Sequence, residues 1–497
     1  MTESSTRPNV LLLFTDQHRL SALGCYGETP CRTPNLDRLA AEGVRFETAY
    51  TACPVCSPTR GTIMTGLYPH SHGVCSNVGN LGCSVHELPD RDDLLSRRLG
   101  EAGYRCGYTG KWHLGTADGN HFGALDDPAL PTTRGFEGQD FPGHGGGGFL
   151  YPEYQRYLEE RGFEHRVLDW PDDRPMPVPA GELAGPTEST VPHFLAEHTI
   201  SLAEDFRESG DPWFIWHNNW GPHGPYYAPT EFLDLYRDVQ IDPWPNADWP
   251  ARNIAGPHQT KLHPRAERLS WEHWEEMLRH YYAFTTLIDY EFGRIVEYLR
   301  DSGQLDNTLI IFTSDHGETC GSHGGLTDKG WHHFEETHRI GMIVRHPDGS
   351  NAGDVRNEWA SNTDVYPTVC DAAGAEYDAD AIHGRSLLPL TTSGRERPDS
   401  EEWRDCAVTE FHGVNNVSMS QRTIRVGDLK FGWNAAGEDE LYDLARDPYE
   451  TTNVLRQPDY LDDASRLRER LLDWMRETAD PVRNIYERNM LGYERRS

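Results

Sequence analysis

Lysine is nearly missing from this chain: Lys111, Lys261, Lys329 and Lys430 are the only four among 497 residues. With 79 acidic residues against 46 Lys and Arg, the formal charge is −33. So acidic a chain, with no basic stripe to displace phosphate counterions, excludes a nucleic-acid partner. Also missing is any run near the roughly 20 apolar residues that cross a bilayer, so no membrane span is expected. Residues 1–8 lack the charged-then-apolar layout of a secretory signal, and the expectation is a cytoplasmic protein. The ten cysteines contain no CxxC…CxxC array, which argues against a disulfide framework or a zinc site. The single C-x-x-C of Cys53 and Cys56 leaves a redox or metal reading that its Pro54 and Pro58 context weakens. Acid excess with lysine depletion fits either adaptation to high salt or a lysine-poor, GC-biased genome.

What the chain does have is length for one large α/β core and a smaller domain. Residues 9–14 form an unbroken apolar run ending at Thr15-Asp16-Gln17-His18. That is the pattern of a buried parallel strand whose carboxyl end meets a site. Thr33 reads as the N-cap of a helix with Pro34 at its first position and Leu36, Leu39 and Ala40 as its apolar stripe. Residues 44–50 return as a strand towards Cys56. Residues 57–66 then start a helix, placing Cys56 at the positive end of its dipole. Further strand cores are predicted at 104–109, 213–216, 308–313 and 342–345, and amphipathic helices at 92–102, 193–207 and 274–300.

This alternation predicts an α/β fold, a mostly parallel sheet sandwiched by helices, with active residues at the carboxyl ends of its strands. Residues 116–190, which include Gly143-His144-Gly145-Gly146-Gly147-Gly148, and residues 242–264 read as loops over a site. A boundary near 391–398 divides residues 1–395 from a smaller C-terminal α+β subdomain, residues 396–497. There the sequence predicts a hairpin over 423–431 and a helix over 462–478 with Leu467, Leu471, Leu472 and Met475 on one face.

The stretch Cys56-Ser57-Pro58-Thr59-Arg60 reads C-x-P-x-R, and Cys56 alone among the cysteines has that context. Taken alone it would also suit a structural cysteine beside a turn. Other segments follow in order: Gly110-Lys111-Trp112-His113-Leu114-Gly115, Pro222-His223-Gly224-Pro225, Asp315-His316-Gly317 and Lys329. With these the chain resembles the type I, formylglycine-dependent sulfatases of the alkaline phosphatase superfamily. The resemblance spans roughly residues 8–481 and is thinnest over 116–190. It implies that Cys56 is oxidised to formylglycine and that the aldehyde hydrates to a gem-diol. One hydroxyl, held by a divalent cation, attacks sulfur; the other is deprotonated as the hemiacetal collapses and expels sulfate. An unmodified cysteine or serine has no such elimination route.

A hard divalent ion needs oxygen ligands, mostly carboxylates, and Asp16 and Asp315 at two strand ends are the natural pair. The resemblance adds Gln17, His316 and the modified Cys56 to the metal site. Gln17 stands where the family usually has a second aspartate, and can offer only an amide oxygen or a supporting hydrogen bond. The Asp-Gln form resembles choline sulfatases and phosphonate monoester hydrolases of the same superfamily. Calcium is the expected ion, with magnesium on the same oxygen preference and manganese if the imidazole binds.

Resemblance assigns Lys111 to the sulfate oxygens and the diol, and His113 to the hydroxyl that loses its proton. A lysine and an imidazole two apart beyond a strand point to the same side, which suits charge stabilisation and proton transfer. His223 would contact sulfate or protonate the leaving oxygen, and Lys329 would neutralise sulfate and donate to that oxygen. Arg60 would hold the Cys56 turn, and Asn77 is a further substrate-binding candidate that competes with Asn80. His332 and His333 read as ordinary loop residues. Trp112, Trp220 and Trp331 flank the motifs, as pocket walls or as core.

The expectation is an enzyme, a sulfuric ester hydrolase that cleaves a carbohydrate sulfate or a small alkyl or choline-like sulfate to alcohol and inorganic sulfate. Asp16-Gln17 raises the alternative of a phosphonate monoester or phosphodiester hydrolase on the same scaffold. A non-catalytic binding protein with unmodified Cys56 is the third reading. The partners implied are a small-molecule or saccharide sulfate and a formylglycine-generating enzyme during maturation.

Overall fold

A strand that is apolar on both faces needs cover on both faces, and the first strand, Asn9–Asp16, is buried along its whole length. The computed structural model describes residues 7–80, 83–116, 128–141, 143–168, 176–249, 269–393, 403–415 and 417–494. Val10, Leu12 and Phe14 pack with Ile63, Leu95, Leu99 and Val365 on one side of the sheet. Leu11 and Leu13 pack with Leu36, Phe206, Leu278 and Leu287 on the other. The period of two in side-chain direction thus divides one run between two cores.

Eight strands form the main sheet, in the order Val355–Arg356, Val44–Phe46, Met342–Arg345, Thr308–Ser314, Asn9–Asp16, Trp213–Pro222, Arg105–Gly110, Glu137–Gly138. Met342–Arg345 runs antiparallel to both neighbours, and the other pairings are parallel. Helices Cys56–Thr65, Leu95–Glu101 and Val365–Ala373 cover one face; Pro34–Glu42, Val191–Ser209 and Trp271–Asp301 cover the other. Register brings Thr15 beside Ser314, Asp16 beside Pro222, and Gly110 beside Asn218, so the carboxyl ends of four strands lie together. Gly110 has φ 91°, and a Cβ there would stand 1.8 Å from the Asn218 carbonyl oxygen. Only glycine lets the chain turn there into Lys111.

Later in the chain, Ala407–Val414, Val417–Val426, Leu429–Asn434 and Glu440–Asp443 form a four-stranded antiparallel sheet. Helix Leu461–Glu477 lays Leu467, Leu471, Leu472 and Met475 against it, the face that the sequence marks. Among the described residues no helix is long and apolar enough to cross a membrane. Lys261 and the proposed division at residue 395 lie outside the described residues.

Two local expectations are corrected. Thr33 makes no side-chain cap to helix Pro34–Glu42. Asp289, on the long helix Trp271–Asp301, caps it instead, accepting from the Asn35 and Leu36 amides at 3.1 and 2.8 Å. Nor is the stretch 116–190 all loop. It holds helix Pro152–Arg161, whose Tyr154, Tyr157 and Leu158 are buried, and strand Ala180–Ala184. The rest of that stretch that reads as loop includes residues 117–127, 142 and 169–175, which lie outside the described residues, as do residues 250–264 of the second stretch.

The two parts of the chain are latched by His70, in the short helix Pro69–His72. Its Nδ1 meets the Glu410 carboxylate and its Nε2 the Thr478 carbonyl at 2.9 Å. Both partners only accept, so the imidazolium is the form that satisfies both. Burial opposes that charge, but Glu410 and the hydrogen bonds raise the pKa of His70 above its ordinary value. A raised folded-state pKa stabilises fully below the unfolded value, and the contribution fades as pH rises through the folded one. His70→Asn is therefore expected to cost about 3–5 kcal/mol at pH 6, with the deficit shrinking towards pH 9. Urea denaturation of both proteins at the two pH values measures it.

Candidate active site

Cys56 opens helix Cys56–Thr65, and Arg60 lies one turn further on. The Cys56 Sγ is 3.7 Å from Asp16 Oδ1 and 3.5 Å from His316 Nε2. Asp16 Oδ2 accepts from Lys111 Nζ at 2.6 Å and from Arg60 Nη2 at 2.9 Å. Arg60 Nη1 donates to the Lys111 carbonyl at 2.6 Å and to Asn218 Oδ1 at 2.8 Å. One guanidinium thus ties the helix to the ends of three strands. Ser57 adds a second tie, its Oγ donating to the His113 carbonyl at 2.6 Å.

Charge is unevenly shared. Burial alone would raise Asp16, but Lys111, Arg60 and Lys329 hold its carboxyl well below the usual range. Asp315 is the reverse: burial and the Asp16 charge push it up to about 8. Burial and Asp16 also push the Cys56 thiol upwards, yet Lys111, Lys329 and the hydrogen bond with His316 bring it down to about 6.

The donor atoms of Asp16, Cys56, Asp315 and His316 all lie within 4.8 Å of one another. Asp315 Oδ2 is buried with no hydrogen-bond partner among the described residues. Nδ1 of His316 donates to the Gly317 carbonyl at 2.9 Å, and Nε2 faces Cys56 Sγ. Burial opposes its charge, but Asp315 and that contact raise its pKa, and a bound cation would take the place of the Nε2 proton. Two crowded carboxylates, one with a bare oxygen, and an imidazole nitrogen fit a divalent cation. Gln17, expected among the ligands, is placed differently. Its amide nitrogen donates to Glu318, and its amide oxygen accepts from Lys329 Nζ at 2.7 Å. The amide is polarised from both ends and acts here as a strut between the first strand and Lys329.

Three imidazoles stand beside Lys111. The ring centroids of His113 and His144 are 5.1 Å apart, and those of His144 and His223 are 4.9 Å apart. His223 Nδ1 is 2.7 Å from the Gly224 carbonyl, so the proton sits on Nδ1 and Nε2 carries the lone pair. Burial, with Lys329 and Lys111 nearby, holds His223 at about 3. His113 and His144 are held well below the usual value, first by burial and then by Lys111. Sequence reasoning missed His144; the signal was a lone histidine in a run of glycines.

Lys329 arrives on a loop that the C-terminal sheet clamps. Gly330 has φ 72°, and a Cβ there would be 2.6 Å from the Phe411 ring. Trp331 stands edge-on to Phe411 at 5.5 Å, and Gln421 donates to its carbonyl at 3.4 Å. His333, read from sequence as an ordinary loop residue, is buried between Thr423 Oγ1 at 2.5 Å and Asn434 Oδ1 at 3.1 Å. Asn77, expected to bind substrate, instead accepts from the Ser57 amide at 3.2 Å and so caps the Cys56 helix from outside.

The sulfatase family model matches residues 8–375, and that of the N-sulphoglucosamine sulphohydrolase C-terminal region matches residues 321–477. This chain belongs to the sulfatase family. It is 28% identical to an N-acetylglucosamine-6-O-sulfatase of Bacteroides thetaiotaomicron, over 92% of this chain and 84% of that one. It is equally 28% identical to the multifunctional alkaline phosphatase superfamily protein PehA of Trinickia caryophylli, over 99% and 100%. The solved phosphonate monoester hydrolase of Agrobacterium radiobacter superposes with a TM-score of 0.77 at 26% identity, covering 95% of this chain and 96% of that one. The sulfatase architecture, a parallel-rich sheet followed by a C-terminal domain, is the one described above. The family makes the chain a sulfuric ester hydrolase that uses, as the family does in general, a divalent metal and a formylglycine.

If the C-terminal clamp sets Lys329, removing it should hurt turnover without unfolding the protein. His333→Ala is expected to lower kcat about 10- to 100-fold with an unchanged circular dichroism spectrum, and His333→Gln to recover part of it. Steady-state kinetics on an aryl sulfate decide the point.

Proposed function

We propose that this sulfatase hydrolyses an organic O-sulfate, of a saccharide or a small alkyl or choline-like alcohol, at the cluster around Cys56. One observation carries the reading. Asp16, Cys56, Lys111, Asp315, His316 and Lys329 come from five separate segments and converge in one buried site.

Formylglycine at position 56, made by a formylglycine-generating enzyme, would supply the oxygen nucleophile that a thiol does not. A divalent cation held by Asp16, Asp315, His316 and the residue at 56 would supply charge compensation at the sulfuryl oxygens. The oxygen donors suit calcium or magnesium, and the His316 nitrogen in the cluster moves our preference towards manganese. Lys111 and Lys329 bring two ammonium groups to the anionic end of the ester. Desolvation of Lys329 works against its charge, but Asp328, Cys56 and Asp16 raise its pKa and keep it cationic. His113, neutral and with Nδ1 unbonded among the described residues, would accept a proton from the group at position 56. Arg60 touches neither end; it fixes Asp16 and the Lys111 backbone.

A second reading, phosphonate monoester or phosphodiester hydrolysis, is favoured by Gln17 in place of a second carboxylate. Phosphonate monoesters and phosphodiesters carry the same single negative charge as a sulfate ester, so Lys111 and Lys329 would serve them equally.

Protein co-expressed with a formylglycine-generating enzyme is expected to turn over 4-nitrophenyl sulfate faster than 4-nitrophenyl phenylphosphonate at equal concentration. A large preference for the phosphonate would transfer the assignment to the second reading. Asp315→Asn is expected to lose bound metal and activity together, by about 10³-fold or more in kcat; elemental analysis of the purified variant beside its kinetics checks the pairing.

A further inference from the structure

The glycine run from Gly143 to Gly148 presents His144 to the site in a way that core packing does not explain. Its backbone is held from outside: Trp220 Nε1 donates to the His144 carbonyl, and the Trp220 ring lies against Gly145 and Gly148. Gly145, Gly146, Gly147 and Gly148 all have positive φ, so the loop follows a path that other residues follow only at a cost. Trp220 belongs to strand Trp213–Pro222, whose end delivers His223. The same anchor therefore sets both histidines.

The side chain of His144 packs edge-on between His113 and His223. Neither of its ring nitrogens bonds to another described residue, and the ring is only half-buried. Its neighbours differ in what they can offer. His223 has given its one N–H to the Gly224 carbonyl, so as a neutral ring it presents only a lone pair. Lys329 is shared between Gln17 and Asp328. His144, beside Lys111 and packed against both other imidazoles, can present an N–H without breaking any bond among the described residues.

We propose that His144 is a further catalytic residue of the sulfatase reaction, donating a hydrogen bond to the bridging oxygen of the ester as the alcohol departs. The proton stays on nitrogen; the bond stabilises the charge that grows on the leaving oxygen, and the released alkoxide takes its proton from water. This rests on the proposed ester hydrolysis and adds the group that faces the alcohol.

The test uses two esters that differ only in how badly the alcohol leaves, phenyl sulfate and 4-nitrophenyl sulfate, with wild type and the variants His144→Phe, His144→Ala and His144→Gln. A donor to the leaving oxygen matters most when that oxygen is most basic. His144→Phe, which keeps the ring packing, and His144→Ala are expected to lose about 10²-fold in kcat/KM on phenyl sulfate and under about fivefold on 4-nitrophenyl sulfate. His144→Gln, which keeps an N–H, is expected to regain about tenfold of the loss. Equal losses on both esters, rescue by Phe rather than Gln, or no loss at all would each overturn the proposal. Wild-type turnover of 4-nitrophenyl sulfate reads the ester-hydrolase assignment separately. If the phosphonate were the better substrate, the phenyl and 4-nitrophenyl phosphonates would give the same comparison for His144.

Discussion

A single carboxylate with no exposed surface organises this site. Asp16 takes an ammonium and a guanidinium on one oxygen and turns the other to Cys56. An unpaired ion at that depth would cost several kcal/mol, so the fold must bring Arg60 and Lys111 to it. That requirement fixes the helix start, the loop after Arg105–Gly110 and, through Arg60 and Asn218, the end of Trp213–Pro222. With Asp16 satisfied, Asp315 is left as the carboxylate short of positive charge. The asymmetry leaves room for a metal cation beside the two carboxylates, while Lys111, Lys329 and the contact with His316 account for the acidity of the thiol.

Much of this was legible in the sequence, and the pattern of success has a physical basis. Strands buried on both faces, such as Asn9–Asp16 and Thr308–Ser314, write themselves as unbroken apolar runs. Motifs such as C-x-P-x-R and GKWHLG are local, so the residues that act together are also adjacent in the chain. What was hidden depends on distant partners. Thr33 looks like a helix cap, but the cap is a carboxylate more than 250 residues away, on the helix Trp271–Asp301. His333 looks like a loop histidine, because Thr423 and Asn434 leave no local trace. Asn77 offers the right side chain at a suitable spacing, and the free amide of Ser57 claims it. Helix Pro152–Arg161 was lost among glycines and prolines because its buried side is three residues wide.

The C-terminal sheet is a working part of the enzyme. Phe411, Gln421, Thr423 and Asn434 hold the loop that carries Lys329, and Gly330 is the residue whose missing side chain lets Phe411 approach. Gln17 meets the same lysine from the first strand. The amide at position 17 thus sets the position of a buried cation from the first strand.

Cys56 begins a helix in which every residue is buried, and its thiol sits under the strand ends that surround it. A second protein cannot grip a side chain that has no surface. An enzyme that oxidised Cys56 would have to reach it on an open chain, before the sheet closes and before the final hundred residues dock. Synthesis order helps: position 56 leaves the ribosome long before Asp315 and Lys329 exist to enclose it, so the timing of maturation follows from the burial of its target.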